Sequence, residues 1–271
     1  MDSFASSDPI AVTGLGAVSA YGVGWNAFRL GVEENRTAVA ELTLFEPPGA
    51  CERAAEAGEL DPARFLFSTQ TYLDRTTVLA AGAARLALDA ANVSLPVALE
   101  GDPLGLAFGT TWGCMGSIER FDRPIGEGNP RRAQGLVFSH SFPNSPASLL
   151  AIEFGLRGYH TVHAGSRLAG VWALESAFSA LRDGTSAWML AGAAESLSAP
   201  VFAHYESRGE LTGAALPRPY APDADGTLLG EGAVFLVLEN ARHARARKAP
   251  ALGFVSACSF GADPAALAED P

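Results

Sequence analysis

Short apolar segments bounded by glycine alternate along this chain with longer segments of helical period, and that alternation narrows the fold more than anything else in it. "LGLAFGTT" (104–111) is a strand with almost no polar face, and "PIAVTGLGAVSAYG" (9–22) begins as a buried strand and runs into a glycine-punctuated loop. Strands of this kind are covered on both sides, and in a layered α/β domain helices supply the covers. Further strands are expected at 186–196, 228–240 and 250–260. Helices are expected at 24–34, at 73–92, from 113, at 144–156 and from Arg167 to about Arg182, with a helical turn at "ARHARARK" (241–248). In the 73–92 helix, Leu73, Val78, Ala81, Leu86, Leu88 and Ala91 form one apolar stripe, and Asn92 caps the end. Asn144 or Ser145 caps the 144–156 helix, with Pro146 in its first turn. Residues 35–70, with Pro47, Pro48 and Pro62, read as an irregular surface excursion, and 123–143 as a proline- and glycine-broken stretch. The expectation is one α/β domain spanning 1–271, with a mainly parallel sheet.

Composition excludes several functions. The net charge is −11, so no basic face is expected for nucleic acid, and the basic stretches at 131 and 241 read as solvated surface. The glycines of "GLGAVSAYGVG" do not have dinucleotide-loop spacing, and no nucleotide cofactor is expected. Cys51, Cys114 and Cys258 stand far apart, which indicates neither a metal site nor a disulfide framework. "MDSFASSDPI" has no basic or apolar leader region, and no uncharged apolar run reaches the ~18 residues of a membrane span. A cytoplasmic protein is expected.

The chemistry concentrates in "YHTVHAGSRLAGVWAL" (159–174), a strand, a small-residue turn and an apolar helix. Turns of this build present nucleophiles, yet Arg167 opens the helix here. A guanidinium stays protonated and has no usable lone pair. Ser166 is one residue off, in A-G-S-R-L rather than G-x-S-x-G, and His160 and His163 fall on opposite faces of the strand.

Six stretches, in order, resemble the N-terminal half of the β-ketoacyl-acyl carrier protein synthases, condensing enzymes of the thiolase fold. They are "VTGLGAVSAYG", "LDRTTVLAAGAARLALDAAN", "FGTTWGCMGSIE", "FPNSPASLLAIEFGLRGYHTV", "LRDGTSAWMLAGAAES" and, most specifically, "RPYAPDADGTLLGEGAVFLVLE", within about residues 8 to 262. The resemblance implies a thiolase-like layered α/β fold. In active members the turn carries a cysteine; counted forward from Gly158 and backward from Gly184 and Glu195, that position is Arg167. The resemblance also puts the family's two catalytic histidines and a basic lysine beyond Pro271, so no catalytic residue is expected here.

It implies a further role, that of a chain length factor: the inactive homologue that pairs with an active ketosynthase in type II polyketide or polyene synthesis and shapes its acyl tunnel. The expected partners are that ketosynthase and, through the complex, an acyl carrier protein. Trp112, Met115, Ile118 and Phe121 are then tunnel candidates, and Ser145, Leu149, Phe154, His160 and His163 interface candidates. Arg167 is expected in an internal contact, Glu195 being one partner, in preference to one that crosses to the other subunit. Asp223, Asp225 and Glu231 are expected to stabilise loops. The alternative is a stand-alone acyltransferase, hydrolase or decarboxylase using Ser166 or His163.

Overall fold

A computed structural model describes residues 9–259 and 261. The leader-region reading of the first eight residues, and the ends of the 8–262 resemblance, fall outside that range. One sheet organises the described residues. Its strands are β1 (Ile10–Ser19), β2 (Gly22–Val23), β5 (Gly105–Thr110), β6 (His160–Ala164), β7 (Trp188–Glu195), β8 (Gly232–Asn240) and β9 (Gly253–Val255). A separate two-stranded ribbon pairs β3 (Ala40–Glu41) with β4 (Arg53–Ala54). The main strand order is β2-β1-β8-β7-β5-β6, with β9 also on β1. One edge of β1 pairs with β8 along its length, while β2 and β9 share the other edge.

Helices cover both faces. On one lie α2 (Arg75–Ala90) and α5 (Ser145–Phe154), over a core that includes Leu106, Phe108, Leu190, Phe235 and Val237. On the other lies α6 (Ala169–Arg182), whose Ala173, Ala177 and Leu181 recur every four residues and pack on Ala107, Met189 and Ala191. Adjacent residues of β5 and β7 thus serve opposite cores, as the two-residue period of a strand requires. The remaining helices are α1 (Trp25–Glu33), α3 (Met115–Gly126), α4 (Gly135–Ser139), α7 (Ala199–Ser207) and α8 (Ala241–Ala246).

Five expectations are corrected. The sheet is mixed: β5 is parallel to β6 and β7, but β8 runs antiparallel to β7 and β1. After β7 the chain passes through α7 and a long loop and re-enters the sheet at the end it left, with Glu195 opposite Gly232. The glycines at 14 and 16 lie inside the ten-residue strand β1, not in a loop. Helix α2 is buried almost all round rather than along one stripe, with Leu79, Ala80, Ala83, Ala84 and Ala87 as deep as Leu88 and Ala91. The cause is that residues 57–66 and α5 cover its outer side: Ala57, Phe65 and Leu66 join its core, so the 35–70 excursion is partly interior. Asn144 lies before α5 as expected but makes no side-chain cap bond.

The N-terminus of α2 is pinned by Asp74. Its Oδ1 accepts the Thr76 N–H at 2.9 Å, while Oδ2 accepts the Ser117 N–H at 3.0 Å and the Ser117 hydroxyl at 2.6 Å. One buried carboxylate therefore caps α2 and ties it to the first turn of α3. Asp74→Ala removes the cap and strands buried donors, so a loss of about 2–3 kcal/mol is expected in urea denaturation.

Candidate functional site

The elbow runs from β6 through Gly165, Ser166, Arg167 and Leu168 into α6. Helix α6 starts at Ala169, two residues later than the sequence suggests, which puts Arg167 in the turn. Gly165 adopts φ +86°, a left-handed conformation that turns the chain away from the strand. Its N–H donates to the Thr110 and Thr111 carbonyls at 3.3 and 3.2 Å, fastening the elbow to the end of β5.

Ser166 is engaged within the turn, where its Oγ accepts the Leu168 N–H at 3.1 Å. His163 Nε2 lies 2.8 Å from Ser176 Oγ on α6, and its ring meets Trp172 edge-on. His160 is exposed and its Nδ1 donates to the Gly158 carbonyl at 2.9 Å. Ser166 and the two histidines are thus occupied separately, and these contacts assemble no nucleophile–base pair.

Arg167 does not bridge to Glu195. Its guanidinium donates to Glu210 Oε2 at 3.0 Å and lies over the Tyr205 ring, with the side chain 72% exposed. Glu210 also receives Arg208 at 2.5 Å, and these two arginines hold its carboxyl below the usual range. Glu195 has other partners: it accepts the Thr111 and Trp112 N–H groups at 2.6 and 3.1 Å. Burial nonetheless raises its pKa, and those bonds only partly offset the loss of solvation. Glu210, Arg208 and Tyr205 carry no local signal linking them to the elbow, because they lie some forty residues away in sequence.

Cys114 is the buried cysteine closest in sequence to the site residues. Burial, followed by the charge and hydrogen bond of Asp74, pushes its thiol well above the ordinary range, so it supplies no thiolate. Glu231 is a structural ion: its carboxylate is fully enclosed, paired with Arg75, and accepts the Ala57 and Leu197 N–H groups at 2.9 and 3.2 Å. Asp225 accepts the Thr212 hydroxyl at 2.6 Å, and Asp223 pairs with Arg218 at 2.8 Å.

Trp112 is half-buried, its ring against His204 and Tyr205 with centroids 5.2 and 6.1 Å away. Met115, Ile118 and Phe121 are half-buried on α3. Phe121 packs on Phe138, which contacts Phe142, and the last two are about half exposed. Ser145 and Leu149 are half-buried on α5, and the Ser145 hydroxyl donates to the Ser139 carbonyl at 3.2 Å. Phe154 departs from the interface expectation: it is fully buried beneath α5 in the main core and presents nothing to a partner. No helix among the described residues is long and apolar enough to cross a membrane.

Comparison with known proteins follows the same lines. The family described as "Beta-ketoacyl synthase, N-terminal domain" matches residues 7–244. The chain is 27% identical to a 3-oxoacyl-[acyl-carrier-protein] synthase 2 of Synechocystis sp., across 90% of this chain and 60% of that protein. It is 29% identical to the tetracenomycin polyketide synthase ketoacyl synthase alpha subunit of Streptomyces glaucescens, across 89% of this chain and 60% of the relative. The chain thus spans about 60% of the length of these relatives. Among solved structures, the ishigamide ketosynthase/chain length factor aligns with a TM-score of 0.82 at 25% identity, covering 92% of this chain and 62% of that one. A type II polyketide synthase acyl-carrier protein in complex with its ketosynthase, bound to the hexaketide, aligns at 0.75 and 25%, covering 90% and 61%. With the thiolase-like layers, the elbow and this match over most of its length in agreement, the chain belongs to the β-ketoacyl synthase family through that family's N-terminal domain.

Proposed function

We propose that this chain is a single ketosynthase-type N-terminal domain that does not condense acyl groups and acts as a chain length factor-like partner of an active ketosynthase. The carrying observation is Arg167 at the elbow position where active members have cysteine. Thioester exchange needs a nucleophile with a lone pair to offer, and a guanidinium has none; here it is engaged with Glu210. Neither alternative is well placed: the Ser166 oxygen accepts the Leu168 N–H within the turn, and burial and Asp74 push the Cys114 thiol up, away from a thiolate.

Two surfaces support pairing. Strand β6 ends the sheet order, so one backbone edge is open among the described residues. Such an edge without lysine, proline or a bulge invites another strand. Beside it runs a groove of about 460 Å³ between α5 and β6, with Ile152 80% exposed on its rim. The aromatic group Phe121, Phe138 and Phe142 is the second surface, and under this reading it enters the partner's acyl tunnel, where its volume limits chain length.

The test is co-expression with the full-length ketosynthase encoded nearest in the same genome, followed by size-exclusion chromatography. A 1:1 complex is expected. Ile152→Glu, on a side chain 80% exposed, should weaken it at least tenfold while leaving the chain folded. A folded chain that binds no ketosynthase would end this reading.

A further inference from the structure

We propose that protonation of the two histidines on strand β6 switches off pairing with the ketosynthase, a regulation that presupposes the docking along β6 proposed above. Strand β6 is five residues long, ends the sheet order and carries two of the chain's five histidines. In the parallel register with β5, His160 lies opposite Leu106 and His163 opposite Gly109. The two rings serve opposite faces of the sheet. His160 lines the groove beside α5, and His163 meets Ser176 and Trp172 of α6. A strand added at this edge would bring a new neighbour over one imidazole on each face.

Both rings are bonded to neutral partners, His160 Nδ1 to the Gly158 carbonyl at 2.9 Å and His163 Nε2 to the Ser176 hydroxyl at 2.8 Å. The charged groups on the elements packed around β6 are engaged elsewhere. On α5, Glu153 accepts the Phe67 and Ser68 N–H groups. On α6, Glu175 accepts the Ser179 hydroxyl at 2.7 Å and Arg182 lies over the Phe178 ring. Strand β5 has no ionisable side chain. In the flanking turns Arg157 donates to the Ala98 carbonyl and Arg167 to Glu210, while Tyr159 lines a separate cleft with Asp102 and Asp183. A neutral edge strand accepts a partner and a charged one repels it, which is how sheet proteins block unwanted pairing. Imidazole acquires that charge as pH falls from 8 to 5. A docked partner takes the rings out of water and favours their neutral form, so association weakens toward acid, by up to about tenfold per pH unit for each proton excluded.

The test is the Kd of the purified chain for the co-expressed ketosynthase, measured by biolayer interferometry at pH 7.5 and 5.5. Binding should be at least tenfold weaker at pH 5.5. The double variant His160→Asn, His163→Gln keeps polar side chains at both positions but cannot be charged, and it should bring the ratio of the two Kd values below threefold. His160→Asn alone, at an exposed position, should lower the ratio part of the way. Histidines with a purely structural role would weaken binding equally at both pH values and leave the ratio where it was. A parent chain that binds equally at pH 7.5 and 5.5 would overturn the proposal, as would a parent-like ratio in both variants, which would assign the pH dependence to other groups. Binding at pH 7.5 without the acid loss ends the switch alone, whereas no binding at either pH ends the pairing and the switch together.

Discussion

Gly16→Ala is expected to yield little or no folded protein. A Cβ built on Gly16 lies 2.0 Å from the Ala83 carbonyl oxygen and 2.4 Å from the Ala87 nitrogen. Those are backbone atoms of α2, and no side-chain rotation relieves the overlap. The helix would have to lift from β1, opening a core that also holds Leu79, Leu88 and Phe235. Overpacking a closed core costs typically about 1–3 kcal/mol, and a backbone clash this deep should exceed 3, a large share of the roughly 5–15 kcal/mol that holds a domain together. Gly14 meets the same helix, with its Cβ position 2.1 Å from the Ala87 carbonyl oxygen. Gly253→Ala is the control: nothing lies within 4 Å of its Cβ position. Soluble yield and urea midpoints of the three variants measure the effect. A Gly16→Ala protein as stable as the Gly253→Ala control would show that α2 does not sit on β1 as described.

Glu239→Ala is expected to be the most damaging loss of a charged side chain. Its carboxylate is fully enclosed and accepts bonds from Thr13 on β1, from His243 at 2.7 Å on α8, and from Arg247. Arg247 also donates to the Ala91 carbonyl at 2.7 Å, so one network joins the sheet, α8 and the end of α2. Removing the acid leaves a half-buried guanidinium without its counter-charge, at about 3–5 kcal/mol, while the Thr13 hydroxyl keeps only the longer bond to the Val237 carbonyl at 3.3 Å. Burial alone would raise the Glu239 pKa, but the bonds from Arg247, His243 and Thr13 and the charge of Arg247 prevail and hold it at about 2. Because the folded pKa is depressed, the stabilisation is fully present above the ordinary carboxylate range and is lost as pH falls toward 2. Over that window the loss is roughly 3 kcal/mol. Urea denaturation at a series of pH values between 6 and 2.5 should show a steeper acid loss for the parent chain than for Glu239→Ala. Parallel curves would remove Glu239 from this role.

The sequence carried the local half of this protein. Runs such as "LGLAFGTT" and the apolar stripe of the 73–92 helix report which segments are covered, and such patterns place strands and helices to within a few residues. The ordered motifs carried the family, and counting from glycines on either side put Arg167 at the elbow, where the structure has it. Periodicity reaches only one turn or one pleat, so everything that depends on a distant partner stayed hidden. It could not show that Gly14 and Gly16 are seats for a helix some seventy residues away, because a missing Cβ reads the same in a loop and under a helix. Nor could it show that α2 is enclosed by Phe65 and Leu66, that β8 runs against β7, or that Arg167 chooses Glu210 over Glu195. Each of these is decided by which backbone segments the topology brings together, and charge pairing and close approach fall off within a few ångströms whatever the separation along the chain.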